Sequence, residues 1–246
     1  MKESNSSSTI VPFEKSLRIA GLQKVSTLDF PGCLAAVVFF ADCNYCCYYC
    51  HNKRILDDPP LLPAAEVLGF LEKRAGLLDG VTLTGGEASL QQGLYSFARS
   101  LKELGYRVKL DTNGSRPDTV RAMLQDGLAD YVAVDYKAPF SMYGDICGAG
   151  PEGVAETFRL LRESGAAYEV RVTVIPQITE KKLAEMAESL PRLKRFVLQL
   201  YRPVTEAGEL RLLEGAEADG MPYTPGELAS LAQAIKYAQP NVEIRA

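Results

Sequence analysis

Short apolar segments alternate with amphipathic segments along most of this chain, and no other feature constrains its fold more tightly. The apolar segments predict six strands, at residues 34–40, 80–84, 107–111, 131–135, 168–175 and 196–200. The amphipathic segments predict six helices, at residues 64–75, 89–104, 118–125, 153–164, 180–190 and 225–238. Such alternation implies parallel strands joined by right-handed crossovers, and both a doubly wound α/β sheet and a barrel fit it. A further short strand or hairpin is expected between residues 16 and 25.

Size and charge narrow the class of protein. The chain has 246 residues, of which 47% are hydrophobic, enough for one large α/β domain or two small ones. A formal net charge of −4 argues against a general nucleic-acid-binding surface. No apolar run approaches the roughly 18 residues that cross a membrane, so no membrane partner is expected. The polar start, residues 1–15, lacks the apolar stretch of a signal peptide and is expected to be a disordered tail. We therefore expect a cytoplasmic protein, in which thiols stay reduced.

Four of the six cysteines lie within eight positions, at Cys43, Cys46, Cys47 and Cys50, on a loop after the first predicted strand. In a reducing compartment, such clustering favours metal binding over disulfides. A zinc ribbon would need a second cysteine pair about 15–20 residues away. The two C-x2-C pairs adjoin each other and leave no loop to fold around a tetrahedral metal. A thioredoxin-type redox pair would not need four thiols.

An ordinary [4Fe–4S] site uses four thiolates, whereas the usable set here is three: Cys43, Cys47 and Cys50. Three thiolates hold three irons and leave one open, as a catalytic zinc site keeps one position open for substrate. This C-x3-C-x2-C pattern has Tyr49 directly before its last cysteine and His51-Asn52 after it, and it resembles the radical S-adenosylmethionine (SAM) superfamily. Upstream, residues 21–32 resemble the entry to the glycyl-radical-enzyme activating enzymes, in particular those that serve anaerobic ribonucleoside-triphosphate reductase.

The resemblance covers residues 16–246 and implies a single domain with a partial (β/α)6 barrel. It also implies one [4Fe–4S] cluster on Cys43, Cys47 and Cys50, and SAM as a second cofactor. Functional residues of such barrels lie at the carboxyl ends of the strands. Polar residues do follow the predicted strands of this chain at those ends.

Gly85, Gly86 and Glu87 follow the second predicted strand. Two glycines allow a ligand to approach the backbone closely. A strand-to-helix turn with Glu87 near a helix N-terminus explains the same residues without any ligand. The resemblance implies that they bind the methionine amine of SAM, although Ala88 stands where the family commonly has proline.

The next strand ends carry further candidates. Asp111 and Asn113 belong to the sequence Asp-Thr-Asn-Gly, which would form a good turn without any ligand. Asp135 and Lys137 could likewise be solvated charges before a loop. Arg171 lies within an apolar strand, where a charge needs a partner, an open lumen or a solvent-facing side. The resemblance implies that the acids lie beside the SAM carboxylate with a monovalent cation. It further implies that SAM is bound by the side chains of Tyr49, Asn113, Lys137, Arg171 and Gln199.

The other cysteines and the only histidine have less specific readings. We expect Cys46 to be a spectator thiol, Cys33 and Cys147 to be structural, and His51 to support the surroundings of the cluster. The glycine-rich loop at residues 144–150 lacks the Lys-Ser/Thr of a phosphate-binding P-loop. We interpret it as a loop and not as a nucleotide site.

The function that the resemblance implies is radical generation. Reductive cleavage of SAM would give a 5′-deoxyadenosyl radical that takes hydrogen from a glycine of a partner glycyl radical enzyme. Residues 29–32 are expected to line the mouth of the barrel, through which the glycine loop of the partner enters. The expected partners are anaerobic ribonucleotide reductase and a flavodoxin- or ferredoxin-type electron donor. Two other classes stay open. One is a radical SAM enzyme that acts on a small molecule, such as a deazapurine-forming cyclase, and the other is a non-enzymatic metal or redox module.

Overall fold

The fold is a single curved sheet of eight strands flanked by helices, as described by a computed structural model for residues 16–203 and 221–245. The expected disordered tail, residues 1–15, lies outside the described residues. The strands follow one another in chain order across the sheet; β1 is antiparallel to β2, and every later neighbour is parallel. Their bounds are β1 Ile19–Ser26, β2 Ala35–Phe40, β3 Gly80–Gly85, β4 Arg107–Thr112, β5 Tyr131–Asp135, β6 Ala167–Val174, β7 Phe196–Leu200 and β8 Val242–Arg245.

The helices pack on the outer face of this sheet and bury their apolar stripes against it. Their bounds are α1 Ala64–Glu72, α2 Leu94–Glu103, α3 Pro117–Gln125, α4 Tyr143–Cys147, α5 Glu152–Ser164, α6 Glu180–Glu188 and α7 Pro225–Ala234. The helix expected to start at residue 89 starts at Leu94 instead. The Glu87 side chain caps a short 3-10 turn, Ala88–Leu90, and this turn occupies the start of the expected helix.

The sheet curves into an open barrel, because side chains from β3 to β8 all face one cavity on its inner side. The six predicted strands are β2 to β7, so the partial (β/α)6 barrel is confirmed. β1 and β8 extend it at its two edges, and within the described ranges these edge strands are not hydrogen-bonded to each other.

An aromatic plug closes the barrel at the amino ends of the strands. Phe30 is fully buried, and its ring lies 6.1 Å from the ring of Tyr131 and 5.1 Å from the Arg107 guanidinium. A Cβ at Gly80 would lie 2.9 Å from the Phe30 ring, so this strand start has room only for glycine. Asp29 does reach the cavity. The expectation that residues 29–32 line the mouth is nevertheless wrong for Phe30, which closes the end opposite the cysteine loop.

Among the described residues, no helix has both the length and the apolar character that a membrane crossing requires.

Candidate active site

The cysteine loop leaves β2 and is tied at both ends to the carboxyl end of β3. At its start, Asp42 has a left-handed φ of 67°, its carboxylate pairs with Arg18 at 2.8 Å, and its carbonyl accepts the Glu87 N–H at 2.8 Å. At its end, the Asn52 side-chain amide donates to the Gly85 carbonyl at 2.7 Å. The loop that carries the thiols is therefore ordered by main-chain and side-chain contacts of the folded sheet.

Gly85 and Gly86 are required by this junction. A Cβ at Gly85, whose φ is +119°, would lie 2.4 Å from backbone atoms of Phe40, and a Cβ at Gly86 would lie 2.0 Å from the Asp42 carbonyl oxygen. The two glycines therefore allow the start of the cysteine loop to approach the end of β3 closely. Both glycines also line the cavity.

The cavity has a volume of about 530 Å³ and brings together nearly all the predicted site residues. The predicted residues that line it are Cys43, Cys47, Tyr49, Cys50, Gly85, Gly86, Asp111, Asn113, Asp135, Lys137, Arg171 and Gln199. A second cavity of about 440 Å³ borders the same three cysteines together with Cys46. Cys46 is exposed and, of these two cavities, lines the second.

The three thiols differ in their electrostatic surroundings. Burial raises the pKa of Cys43 to about 11 and also raises the pKa of Cys50. The neighbouring Cys147 thiol, together with the charge of Lys137, lowers the pKa of Cys47 to about 7 against the opposing effect of burial. Cys47 is therefore the thiol most easily converted into the thiolate that binds metal.

The donor set fits an iron–sulfur cluster. Within the described ranges, no three Cys, His, Asp or Glu side chains are grouped so that they could hold one metal ion. Three thiols that face one cavity suit the corners of a cluster, whose cysteine ligands stand apart. The rest of the cavity leaves room beside them for a small molecule with charged groups.

A chain of ion pairs crosses the cavity floor from β4 to β6. Arg171 donates to Asp111 through Nη1 and to Asp135 through Nε, each at 2.8 Å. Lys137 donates to the second oxygen of Asp135 at 2.9 Å, and Lys109 pairs with the second oxygen of Asp111. Arg171 therefore points into the lumen, and the solvent-facing alternative is excluded.

These pairs favour the charged forms of Asp111, Asp135 and Lys137. Burial lowers the pKa of Lys109 despite its pair with Asp111. Burial alone would raise the pKa of Asp111, but the charges of Arg171 and Lys109 hold it below its ordinary value. Burial is likewise outweighed at Asp135, whose pKa is lowered by Arg171 and Lys137, and at Lys137, whose pKa is raised by Asp135. The site thus offers paired cations and anions at fixed positions, which suits a zwitterionic ligand.

Glu87 is the predicted residue that does not line the cavity. Its side chain is fully buried and accepts hydrogen bonds from the Asn113 N–H at 2.6 Å, the Thr112 hydroxyl at 2.7 Å and the Ser89 N–H at 3.0 Å. In this arrangement the carboxylate joins the turn after β4 to the turn after β3. This agrees with the interpretation of Glu87 as a residue of a strand-to-helix turn that needs no ligand.

An aromatic group forms the wall on the β7 side. Tyr49 is buried, its ring lies 6.2 Å from that of Tyr201, and its hydroxyl is 3.4 Å from the Lys137 carbonyl. The His51 ring lies 6.3 Å from Tyr201 at a near-perpendicular angle. Burial, then the charges of Lys137 and Arg202, lower the pKa of His51, so a neutral imidazole lies beside the cavity.

Some residues that shape the site were not among the predicted ones. Lys109 is 1% exposed and lies two positions before Asp111, on the same inward face of β4. A lysine in an apolar strand is the same signal that identified Arg171. Asn52 anchors the loop. The Cys147 carbonyl accepts the Cys46 N–H at 2.9 Å although 101 positions separate the two residues, so no local pattern indicates this contact.

Comparisons with known proteins agree with this geometry. The sequence profile of the radical SAM superfamily matches residues 37–190. A putative glycyl-radical enzyme activating enzyme of Methanocaldococcus jannaschii is 28% identical over 194 residues, 75% of this chain and 80% of that protein. The pyruvate formate-lyase-activating enzyme of Clostridium pasteurianum is 26% identical over 200 residues, 75% of this chain and 82% of that protein.

Two further matches are partial. The 7-carboxy-7-deazaguanine synthase of Methanopyrus kandleri is 37% identical over 132 residues, which are 45% of this chain and 52% of that protein. The crystal structure of Streptococcus suis SuiB has a TM-score of 0.66 at 15% identity, over 85% of this chain and 49% of SuiB. This chain thus spans about half the length of SuiB, and the likeness concerns the fold. The profile match over more than half of the chain shows that the chain belongs to the radical SAM superfamily.

Proposed function

We propose that this protein is a radical SAM activating enzyme that generates a radical on a glycine of a partner glycyl radical enzyme, with anaerobic ribonucleoside-triphosphate reductase as the first candidate. One observation carries the proposal. The thiols of Cys43, Cys47 and Cys50 border the same cavity as the ion-paired floor of Asp111, Arg171, Asp135 and Lys137. A cluster and a charged small molecule can therefore lie side by side.

Cys43, Cys47 and Cys50 would hold the cluster, and the paired charges would orient SAM. A bound [4Fe–4S] cluster, once reduced by the electron donor, would supply the one electron that cleaves the C5′–S bond of SAM to methionine and a 5′-deoxyadenosyl radical. Lys137 and Arg171 suit the methionine carboxylate, and Asp111 and Asp135 hold these two cations in place. Gly85 and Gly86 line the part of the cavity where the methionine amine would bind. The buried aromatic wall at Tyr49 keeps water from that side of the cavity.

The proposed monovalent cation has competitors in the folded chain. Both oxygens of Asp111 and both oxygens of Asp135 already accept from Lys109, Arg171 or Lys137. A bound cation would have to displace one of these side chains. We further propose a cytoplasmic protein served by a flavodoxin- or ferredoxin-type donor; the six cysteines, all free thiols, suit a reducing compartment.

The first experiment is SAM cleavage by anaerobically reconstituted, dithionite-reduced protein, with Cys47→Ala and Cys46→Ala as matched variants of neighbouring cysteines. We expect 5′-deoxyadenosine from the wild type and from Cys46→Ala, and none from Cys47→Ala. Loss of the product in Cys46→Ala alone would show that the ligand set is wrong. Absence of the product from iron-loaded wild type would refute radical chemistry.

A second experiment tests the substrate. Wild type that cleaves SAM is mixed with a candidate reductase, and a glycyl-radical EPR doublet on the reductase is expected. The 37% identity to a 7-carboxy-7-deazaguanine synthase favours a small-molecule substrate as the alternative. Tight binding of such a molecule without any partner protein, and no doublet, would support this alternative.

A further inference from the structure

The edge strand β8 contributes to the cavity one cation that takes no part in the ion pairs of its floor. Arg245 lines the cavity, and its backbone pairs in register with Gln199 of β7. Its Nη2 donates to the two oxygens of Glu169 on β6, at 3.3 and 3.2 Å. The Arg245 side chain therefore lies across the inner side of β7, from the edge strand to β6.

The charge of Arg245 is balanced within a cluster of four side chains. Glu169 is fully buried and also pairs with Arg195 at 3.2 Å. Arg195 in turn pairs with Glu243 at 2.8 Å. Two carboxylates thus match two guanidinium groups, so the cluster has no excess positive charge with which to attract an anion.

Arg245 nevertheless has hydrogen-bond donors that the folded chain does not use. A guanidinium carries five N–H groups, and within the described ranges only Nη2 of Arg245 has a hydrogen-bond partner. Nε and Nη1 have none, and neither is cut off from solvent. These N–H groups are therefore available to a neutral acceptor in the cavity, such as a carbonyl oxygen.

The place of Arg245 in the fold indicates which acceptor it would meet. The two edge strands, β1 and β8, are not hydrogen-bonded to each other within the described ranges, and this leaves a seam in the barrel wall. The cavity reaches the seam from both sides, because Asp29 after β1 and Arg245 on β8 both line it. A glycine that entered here has no side chain, so its recognition depends on main-chain N–H and C=O groups.

We propose that Arg245 is a specificity-determining residue whose free guanidinium N–H groups donate to main-chain carbonyl oxygens beside the glycine of the partner glycyl radical enzyme. The inference rests on the proposed function and adds a contact to its protein substrate. Glu169 fixes the guanidinium before the partner arrives, so little side-chain freedom is lost on binding. Loss of Arg245 should therefore weaken the binding of the partner much more than the cleavage of SAM.

The test compares anaerobically reconstituted wild type with Arg245→Met, Arg245→Lys and Glu243→Gln. Glu243→Gln is the matched control, because Glu243 belongs to the same strand and the same charge cluster but does not line the cavity. In both Arg245 variants, Glu169 keeps Arg195 and Tyr131 as partners, which supports the fold.

The probe is full-length anaerobic ribonucleoside-triphosphate reductase. Its Kd is measured by fluorescence anisotropy of labelled reductase, with SAM present and no reductant. Its KM is measured from the glycyl-radical EPR signal formed at several reductase concentrations. Formation of 5′-deoxyadenosine without reductase is measured on the same samples.

In Arg245→Met, we expect the Kd and the KM for the reductase to rise roughly tenfold, the size of one hydrogen bond from a charged donor. Cleavage of SAM without reductase should change far less. Arg245→Lys keeps the charge beside Glu169 but loses the planar set of donors, so its Kd should rise as well. Glu243→Gln should bind as wild type does. The ratio of the Kd values of Arg245→Met and wild type should be equal at low and high salt, because a carbonyl oxygen carries no net charge.

Equal Kd values in Arg245→Met and wild type would overturn the inference, and so would equal losses in Arg245→Met and Glu243→Gln. Full binding by Arg245→Lys, or a loss that disappears at high salt, would also overturn it, because either would mean attraction to an acidic group. A loss of SAM cleavage as large as the loss of binding would show that Arg245 acts on SAM instead. If Arg245→Met does not fold, Arg245→Lys decides by the same measurements.

Failure of the proposed function has a different signature. A wild type that cleaves no SAM, or that cleaves SAM but neither binds the reductase nor forms a radical on it, refutes the proposed function together with the inference that rests on it. A wild type that does both, alongside Arg245 variants that match it, refutes the inference alone.

Discussion

At the scale of single residues, the carboxylate of Asp111 lies between the cations of Lys109 and Arg171 in the barrel lumen. Asp111→Asn would remove one charge, so that the buried Lys109 loses its paired carboxylate and Arg171 keeps only Asp135. We expect a loss of about 3 kcal/mol in the free energy of unfolding, measured with urea. Glu156→Gln is the control, since its pair with Arg121 is more than a third exposed and should be worth about 0–1 kcal/mol. Equal losses in both variants would contradict a buried network.

The same pairs predict an acid-sensitive fold. The pKa values of Asp111 and Asp135 in the folded chain lie below their ordinary value of 3.8. The two carboxylates therefore stabilise the fold at pH above that value, and this stability is lost as the pH falls through the folded pKa values. We expect the Tm to fall steeply below about pH 4, and less steeply in Asp135→Asn, in thermal unfolding from pH 7 to pH 2. Parallel curves for the two proteins would refute this assignment.

Single residues also show where sequence reasoning succeeds. The cysteines and the strand-end charges were predictable because each falls at a position that the strand pattern fixes. Glu87 lies at such a position too, yet its oxygens are used by the turns around it. The packing of Cys147 against Cys46 was not predictable, because 101 positions separate the two residues and no local pattern joins them.

At the scale of elements, the junction between β3 and the cysteine loop depends on Gly86. A methyl group at Gly86→Ala would lie 2.0 Å from the Asp42 carbonyl oxygen, so the loop must move. We expect a loss of about 1–3 kcal/mol in the free energy of unfolding. Gly69→Ala is the control, because Gly69 lies within α1 with nothing within 4 Å, and this change should stabilise by about 0.5–1 kcal/mol. A neutral Gly86→Ala would show that the loop is not held there.

The bounds of strands and helices with a clear hydrophobic periodicity were predicted within a few residues, and those of the other elements were not. β8 is a short edge strand of four residues, two of them charged, and gives no apolar run to detect. The five-residue helix α4 lies in a glycine-rich stretch that resembles a loop. The start of α2 was misplaced because a helical pattern in sequence does not distinguish a 3-10 turn from the first turn of an α-helix.

At the scale of the whole molecule, the proposed cofactor should stabilise the fold. A group that binds only the folded chain raises its stability, by about 2.7 kcal/mol when the ligand exceeds its Kd a hundredfold. We expect anaerobic loading with iron and sulfide to raise the Tm, and removal of the iron with a chelator to reverse the rise. Cys47→Ala should show no rise, and an equal rise in that variant would mean that iron binds elsewhere.

The anchoring of the cysteine loop has a thermodynamic consequence. Contacts with Gly85, Gly86 and residues 147–148 restrict the loop once the sheet has formed. The conformational entropy of those residues is then lost during folding and not during metal binding. Iron uptake by the folded chain should consequently show a binding entropy set mainly by released water and thiol protons, unlike that of small metal-dependent domains that fold around their ion.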